Sequence, residues 1–155
     1  NYIEEFWIYD NIISSLDSNA FSNLDQLKII SLENNFVIEI RNFTFNNLPN
    51  LQDLRLGGNQ IEKINDYSFN NLTNLLTLDL KRNRLNSINN NYFKQLKKLN
   101  KLDLSFNSIF YIVKNSFSDC KILNELDLSF NRLYAIEKEV FFGLNSIKIL
   151  KLNHN

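Results

Sequence analysis

Apolar residues recur along this chain with a fixed step of 24 positions, with no insertion or deletion. Each unit reads L-x-x-L-x-L-x-x-N-x-I-x-x-I-x-x-x-x-F-x-x-L-x-x. The units begin at Ile3, Leu27, Leu51, Leu75, Leu99, Leu123 and Ile147. A fixed period of this length indicates a solenoid, because one unit cannot bury its apolar face alone and must stack on its neighbours.

The opening positions of each unit, L-x-x-L-x-L, predict a short strand whose alternate side chains point inward. Because every strand enters in the same direction, the strands are expected to pair in parallel at a spacing of roughly 4.8 Å. Their Leu and Ile side chains then meet in one continuous apolar core. The rest of each unit predicts irregular loops or short 3-10 turns, with few or no long helices.

Two further positions of the unit do not vary where the chain contains them. The Asn position holds Asn11, Asn35, Asn59, Asn83, Asn107, Asn131 and Asn155. Its amide carries donors and an acceptor, so stacked Asn side chains can satisfy the peptide groups of a buried turn, which Asp could not do. The Phe position holds Phe21, Phe45, Phe69, Phe93, Phe117 and Phe141, which are expected to stack and fill the convex side.

The amino-acid composition argues against several classes of function but does not identify one. The 155 residues carry 17 basic and 17 acidic side chains, which argues against nucleic acid or an anionic membrane as a main partner. One Cys and one His leave few ways to build a zinc site or a nucleophile–base pair. We therefore expect that the protein is not an enzyme and that it binds no metal ion or cofactor. No apolar run is long enough to span a bilayer.

On these motifs the chain resembles the leucine-rich repeat family, over residues 3–155. The 24-residue unit with a Phe near its end is similar to the typical extracellular subclass, found in Toll-type receptor ectodomains and secreted insect immune proteins. The resemblance implies an α/β-type solenoid, a horseshoe with a parallel concave sheet. We expect one solenoid, residues 1–155, with repeats 3–26, 27–50, 51–74, 75–98, 99–122, 123–146 and a partial repeat 147–155.

Family members cap both solenoid ends, and no cap motif occurs in this sequence. We therefore expect an internal fragment of a longer protein, which would be poorly soluble or associate end to end when isolated. One position departs from the repeat: Cys120 replaces an expected Leu, and is interpreted as a buried free thiol.

Ligand contacts are expected at the variable strand positions, which form rows across the concave face. One row contains Arg55, Asp79, Asp103, Asp127 and Lys151, so an acidic stripe is predicted between two cations. Phe106 and Phe130 are predicted to pair beside it, and Lys81, Arg82 and Lys101 are expected to neutralise part of it. The predicted ligand-binding residues are Trp7, Tyr9, Glu33, Arg55, Asp79, Lys81, Arg82, Asp103, Phe106, Asp127 and Phe130.

Two groups of these predicted ligand-binding residues also have a structural explanation. The string L-D-L-S-F-N occurs at 102–107 and 126–131 and is close to the family consensus, so its Asp and Phe residues are also explained as scaffold. Trp7 and Tyr9 have the character of binding anchors, but they are equally explained by packing on a preceding repeat.

Two sequons, beginning at Asn42 and Asn71, are predicted glycosylation sites on loops away from the concave strands. This number of sequons is about what chance would give in a chain so rich in Asn, so it is not evidence for secretion. The expected extracellular or cell-surface location therefore rests on the subclass resemblance.

The function predicted is recognition of a protein ligand or co-receptor, or of a glycan or lipid-bearing ligand. The parent protein is expected to be an extracellular receptor or a secreted innate immune or signalling protein, and it could form a homodimer. The alternative is a structural spacer or dimerisation scaffold with no ligand site of its own.

Overall fold

The computed structural model describes residues 2–155; Asn1, the first residue of the predicted solenoid, lies outside the described residues. Seven short strands form one parallel sheet in which each repeat contributes one strand. In sequence order they are β1 (Glu5–Trp7), β2 (Ile29–Ser31), β4 (Asp53–Arg55), β6 (Thr77–Asp79), β8 (Lys101–Asp103), β10 (Glu125–Asp127) and β11 (Ile149–Lys151). The pairing register steps by 24 residues at every strand, as Leu54, Leu78 and Leu102 show, which confirms the predicted parallel stacking.

Four further strands lie after the Asn position of their repeats, where the consensus reads I-x-x-I. β3 (Glu39–Ile40) pairs with β5 (Lys63–Ile64), and β7 (Ser87–Ile88) pairs with β9 (Tyr111–Ile112). These two-stranded sheets were not expected. The remaining convex segments are turns, and residues 2–155 contain neither an α-helix nor a 3-10 helix. The predicted solenoid class is confirmed, built from strands and turns.

In the described part of the chain, no helix is long and apolar enough to cross a membrane.

The core is a column of consensus side chains between the sheet and the convex turns. Leu54, Leu78 and Leu102 are fully buried at the centre of the sheet. The repeat Phe residues stack in two runs, Phe21–Phe45–Phe69 and Phe93–Phe117–Phe141, with ring centroids 5.2 Å apart for Phe21 and Phe45 and 5.8 Å apart for Phe93 and Phe117. Adjacent repeats are therefore held together by aliphatic contacts on one side of the core and by ring contacts on the other.

Cys120 lies in this column and is fully buried. Burial raises the pKa of its thiol to about 12, so the thiolate form is suppressed. The side chain behaves as a small apolar group in the place of Leu, as the sequence indicated.

The stacked side chains at the Asn position form a ladder of hydrogen bonds, here called the Asn ladder, and these bonds explain why the position does not vary. Asn59 Nδ2 donates to the carbonyls of Leu32 at 2.9 Å and Leu56 at 3.1 Å. Its Oδ1 accepts the amide of Val37 at 3.0 Å. The same pattern recurs at Asn35, Asn83, Asn107 and Asn131. Each buried amide thus satisfies peptide groups of its own repeat and of the preceding one.

The residue before each ladder Asn has a positive φ, because the chain must turn inward there. These residues are Asp10, Asn34, Gly58, Arg82, Phe106, Phe130 and His154, with φ between 52° and 69°. Only Gly adopts this backbone without steric cost, and a bulky residue there is uncommon. The conformation is held by an inter-repeat hydrogen bond, such as that from the Phe106 amide to the Ser129 carbonyl at 3.0 Å.

Candidate recognition surface on the concave face

The strand register brings the variable positions into rows across the concave face, as the sequence predicted. Arg55 pairs in register with Asp79, which is followed in turn by Asp103, Asp127 and Lys151. The acidic stripe therefore exists, with one cation at each end. The side chains within it, however, have different partners.

Arg55 joins the predicted aromatic residues at the N-terminal end of the face. Its guanidinium lies 5.2 Å from the ring centroid of Trp7, two strands away, and Trp7 and Tyr9 meet edge to face at 6.3 Å. Asp53 Oδ2 accepts from Arg55 Nε at 3.0 Å and from Nη2 at 2.6 Å. Arg55 is thus oriented by two hydrogen bonds to a single carboxylate oxygen of Asp53 and by the ring of Trp7. We call Trp7, Tyr9, Glu33 and Arg55 the aromatic–basic patch.

Lys81 occupies the space that Gly57 leaves in the next row. Its Nζ lies 3.1 Å from Asp79 and 3.8 Å from Glu33, which is two strands away. A Cβ at Gly57 would lie 3.2 Å from both Asp79 carboxylate oxygens and from Lys81 Cγ. The missing side chain at Gly57 therefore lets Lys81 reach Glu33 and links the aromatic–basic patch to the acidic stripe.

Asp79 and Asp127 occupy equivalent places in the stripe but have opposite pKa shifts. Their side chains are 15% and 14% exposed. Burial raises the pKa of Asp79 and outweighs its hydrogen bonds from the Lys81 amide and ammonium. Burial acts in the same direction on Asp127, but bonds from the Ser129 hydroxyl and amide and from Lys151 bring its pKa below the ordinary value. The Ser hydroxyl is the added donor.

Among residues 2–155, Asp103 is the carboxylate of the stripe that forms no salt bridge. Its Oδ1 accepts the amide and the hydroxyl of Ser105 at 2.9 Å and 2.6 Å. The same Asp–Ser pairing in both L-D-L-S-F-N strings supports the interpretation that this string is partly scaffold.

Phe106 and Phe130 stack as predicted, with ring centroids 4.2 Å apart. The structure extends this pair at both ends. His154 stacks on Phe130 at 4.3 Å, and the Arg82 guanidinium lies 5.5 Å from the centroid of Phe106. Arg82 thus faces a ring and, contrary to expectation, does not neutralise the stripe. Because ring faces are covered inside this stack, it presents mainly ring edges to solvent.

One concave row was missed by sequence reasoning, although the same 24-residue step would have found it. It contains Asp53, Lys101 and Glu125, which lie one strand position from the core Leu. Lys101 pairs with Glu125 at 3.1 Å, so it too does not neutralise the stripe directly. His154 belongs to the same 24-residue row as Phe106 and Phe130, but it was not among the predicted ligand-binding residues.

The predicted glycosylation sites lie on convex turns, and both Asn42 and Asn71 are exposed. Glycosylation itself stays a prediction. Within residues 2–155 no group of three or more His, Cys, Asp or Glu side chains is arranged to hold a metal ion.

This fold defines a class of protein, a parallel solenoid in which each repeat contributes one strand to a single sheet. The chain belongs to the leucine-rich repeat family, because it matches the BspA type leucine rich repeat region in six copies over residues 2–123 and 38–155. This confirms the predicted family.

A solved structure with the same fold is the crystal structure of a TLR13–ssRNA13 complex. It shares 38% sequence identity and a TM-score of 0.89 over 94% of this chain and 20% of that chain. The chain therefore spans about a fifth of that protein's length. No curated protein matches the sequence. The family and the neighbour support a protein-binding module, and proteins of this kind are typically not enzymes.

Proposed function

We propose that this chain is a ligand-recognition part of an extracellular receptor ectodomain, or of a secreted signalling or innate immune protein. It binds a protein ligand or co-receptor through the concave face. The observation that carries this proposal is the aromatic–basic patch, in which Trp7 and Tyr9 are 44% and 51% exposed.

The chemistry of the patch suits an anchor for a partner protein. Trp, Tyr and Arg are the residue types that dominate binding energy at protein interfaces. Trp7, Tyr9, Glu33 and Arg55 line a shallow depression of about 300 Å³ together with Asn34. Because Asp53 and the Trp7 ring already fix the guanidinium, little side-chain entropy remains to be lost on binding.

RNA is considered as an alternative ligand because the TLR13 structure is a complex with RNA. The charges of this chain favour protein instead. Three Asp residues cross the middle of the concave face, and the chain as a whole has no excess of positive charge. A phosphate backbone needs neutralising cations along its path, and this stripe would repel it.

The extracellular location rests on the subclass resemblance, and the convex position of both sequons is compatible with it. A glycan on Asn42 or Asn71 would leave the concave face open to a ligand. Expression in a secretory eukaryotic host followed by glycopeptide mass spectrometry tests this part of the proposal, and two unmodified asparagines would count against it.

Binding is tested on an array of purified extracellular proteins, with mixed-sequence single-stranded RNA as a separate arm. The concave variant combines Trp7→Ala and Arg55→Ala. We expect a protein partner whose affinity falls by about a hundredfold in this variant, since two anchors of about 1–2 kcal/mol each are removed. Tyr134→Ala is the control, because it removes an exposed ring outside the concave strands.

Two results would contradict the proposal. A partner that binds the concave variant as tightly as the unchanged chain would place the binding surface elsewhere. Salt-sensitive binding of RNA with no protein partner would replace protein by RNA as the ligand class. A second set of variants, Asp79→Ala with Asp103→Ala, shows whether the stripe contributes to the same interface.

A further inference from the structure

A second surface lies on the convex turns, where two exposed rings stack. Phe43 and Tyr67 are 24 residues apart, and their rings lie 5.7 Å apart and within 10° of parallel. The next position in this row is Asn91, which is too short to continue the stack. One face of Tyr67 is therefore covered by Phe43, and no ring within residues 2–155 packs on the other face.

A cavity of about 250 Å³ lies at this open position, between Tyr67 and Tyr92. We call it the Tyr67 cleft. The other residues that line it are Asp66, Phe69, Asn70, Asn91, Lys94 and Gln95. It continues into a wider, shallower depression that shares Asp66, Tyr67 and Tyr92.

The walls of the cleft are held by the solenoid itself. Tyr92 packs edge to face on the buried Phe93 at 6.3 Å, and burial raises the pKa of its hydroxyl. Asn70 Nδ2 reaches Asn46 in the preceding repeat at 3.5 Å. A ligand would therefore meet a site that is largely formed before binding, which lowers the entropy cost.

The lining combines the open ring face of Tyr67 with a carboxylate, an ammonium group and three side-chain amides. A pyranose ring has this complementarity, because one side presents C–H groups that can lie on an aromatic face while its hydroxyls both donate and accept hydrogen bonds. An apolar aromatic ligand would leave Asp66 and the amides unpaired, which is costly when they lose water. We propose that the Tyr67 cleft binds a pyranose ring of a saccharide.

The saccharide can come from two sources. Asn42 begins a sequon and itself lines the outer depression, so a glycan attached there begins at the mouth of the cleft. A free saccharide is the other source. This site is on the opposite side of the solenoid from the aromatic–basic patch and does not depend on the function proposed for that patch.

Saturation-transfer NMR on the unglycosylated chain tests the site, with the N-acetylglucosamine trimer and maltotriose as probes. We expect transfer to at least one trisaccharide. Tyr67→Ala should weaken binding about tenfold or more, the equivalent of one lost ring contact of about 1.4 kcal/mol. Tyr67→Phe, which keeps the ring face, should bind as the unchanged chain does, and so should the control Tyr134→Ala.

Circular dichroism of each variant confirms that the solenoid is intact, so a loss of binding reports on the cleft. Absence of transfer to both trisaccharides, or equal transfer in Tyr67→Ala, would overturn the proposal. Either result leaves the concave-face test unaffected.

The two possible sources of the saccharide are distinguished with protein produced in a secretory host. All forms carry Asn71→Gln, so that Asn42 is the sequon under test. If the chain's own glycan occupies the cleft, the chain glycosylated at Asn42 should no longer bind the trisaccharide, and Asn42→Gln should restore binding. Equal binding by both forms, or an unmodified Asn42 in a chain that binds, identifies a free saccharide as the ligand.

Discussion

At the scale of single residues, the chemistry of a side chain is decided by how many donors its surroundings supply. Asn59 succeeds in the ladder because one amide can donate to carbonyls of two repeats and still accept a peptide N–H. The pKa of Asp79 is raised by burial, to which the charge of Asp103 adds, whereas the pKa of Asp127 is lowered because its hydrogen bonds, including one from the Ser129 hydroxyl, outweigh burial. Repeat position alone therefore does not define the electrostatics of a site.

The variant Asn83→Asp tests the ladder. It removes the donors that serve the carbonyls of Leu56 and Leu80 and brings a carboxylate into a buried turn. We expect a loss of roughly 3 kcal/mol in the free energy of unfolding, measured by urea denaturation, because buried polar groups lose their partners. Asn90→Asp makes the same chemical change at an exposed turn and should cost little. Equal losses would contradict the ladder argument.

The variant Asp79→Asn tests the raised pKa through its pH dependence. A raised folded-state pKa means that the folded protein holds this proton more tightly, so the stabilising contribution of Asp79 falls as pH rises through that pKa. The Asn variant lacks this loss, so its stability relative to the unchanged chain should rise between about pH 3 and pH 7. Thermal unfolding at several pH values measures the difference.

Asp127→Asn is the matched control. Its lowered pKa contributes stability above the ordinary Asp pKa that is lost as pH falls through the folded-state value. The relative stability of this variant should therefore fall as pH rises. The same sign of change in both variants would show that the two carboxylates are equivalent after all.

At the scale of elements, each three-residue strand is stable only because the adjacent repeats supply its hydrogen-bond and packing partners. The parallel ladder, the Asn turn and the Phe column all connect one repeat to the next. Ion pairs between repeats such as Lys28–Glu4 and Arg84–Glu62 are exposed and contribute little, typically under about 1 kcal/mol each. The elements are therefore held mainly by apolar contacts with the repeats on either side.

Phe117→Ala tests this at the convex side. Phe117 is fully buried between Phe93 and Phe141, with centroids 5.8 Å and 6.5 Å away. We expect a loss of about 3–5 kcal/mol in unfolding free energy, from the lost burial and the cavity left behind. Phe142→Ala removes a ring that is 62% exposed and should cost under about 1 kcal/mol. A small loss at Phe117 would mean that the column does not join the repeats.

At the scale of the whole molecule, the sheet has two outer strands, β1 and β11, each paired on one side within the described chain. Ile149 and Leu150 of β11 are 48% and 38% exposed, although Leu150 occupies a consensus core position. An exposed parallel edge with apolar side chains favours pairing with another chain. We expect the isolated chain to self-associate through this surface.

Leu150→Glu tests this association. A charge at the open end of the core should shift the sedimenting species from oligomer towards monomer, because it would be desolvated in a stacked assembly. Phe110→Glu places the same charge at another exposed apolar side chain, in the middle of the solenoid, and should leave the distribution unchanged. A monodisperse monomer of the unchanged chain at high concentration would rule the prediction out.

The sequence predicted the scaffold well because repetition multiplies a weak local signal. A single L-x-x-L-x-L is ambiguous, but seven copies at one spacing fix the strand register and the side of the sheet on which each variable residue lies. The row from Arg55 to Lys151 and the stacking of Phe106 on Phe130 followed from that register. The two-stranded convex sheets did not, since the I-x-x-I positions carry no separate strand signal.

What the sequence determined by itself is therefore the architecture and the rows, because both depend on spacing along the chain. What only the tertiary structure decided is which neighbours within and between rows interact. Lys81 reaches across Gly57 to Glu33, Arg82 faces a ring rather than the acidic stripe, and the short Asn91 leaves a cleft beside Tyr67. These contacts depend on side-chain length, rotamer and local burial, which the repeat period leaves free.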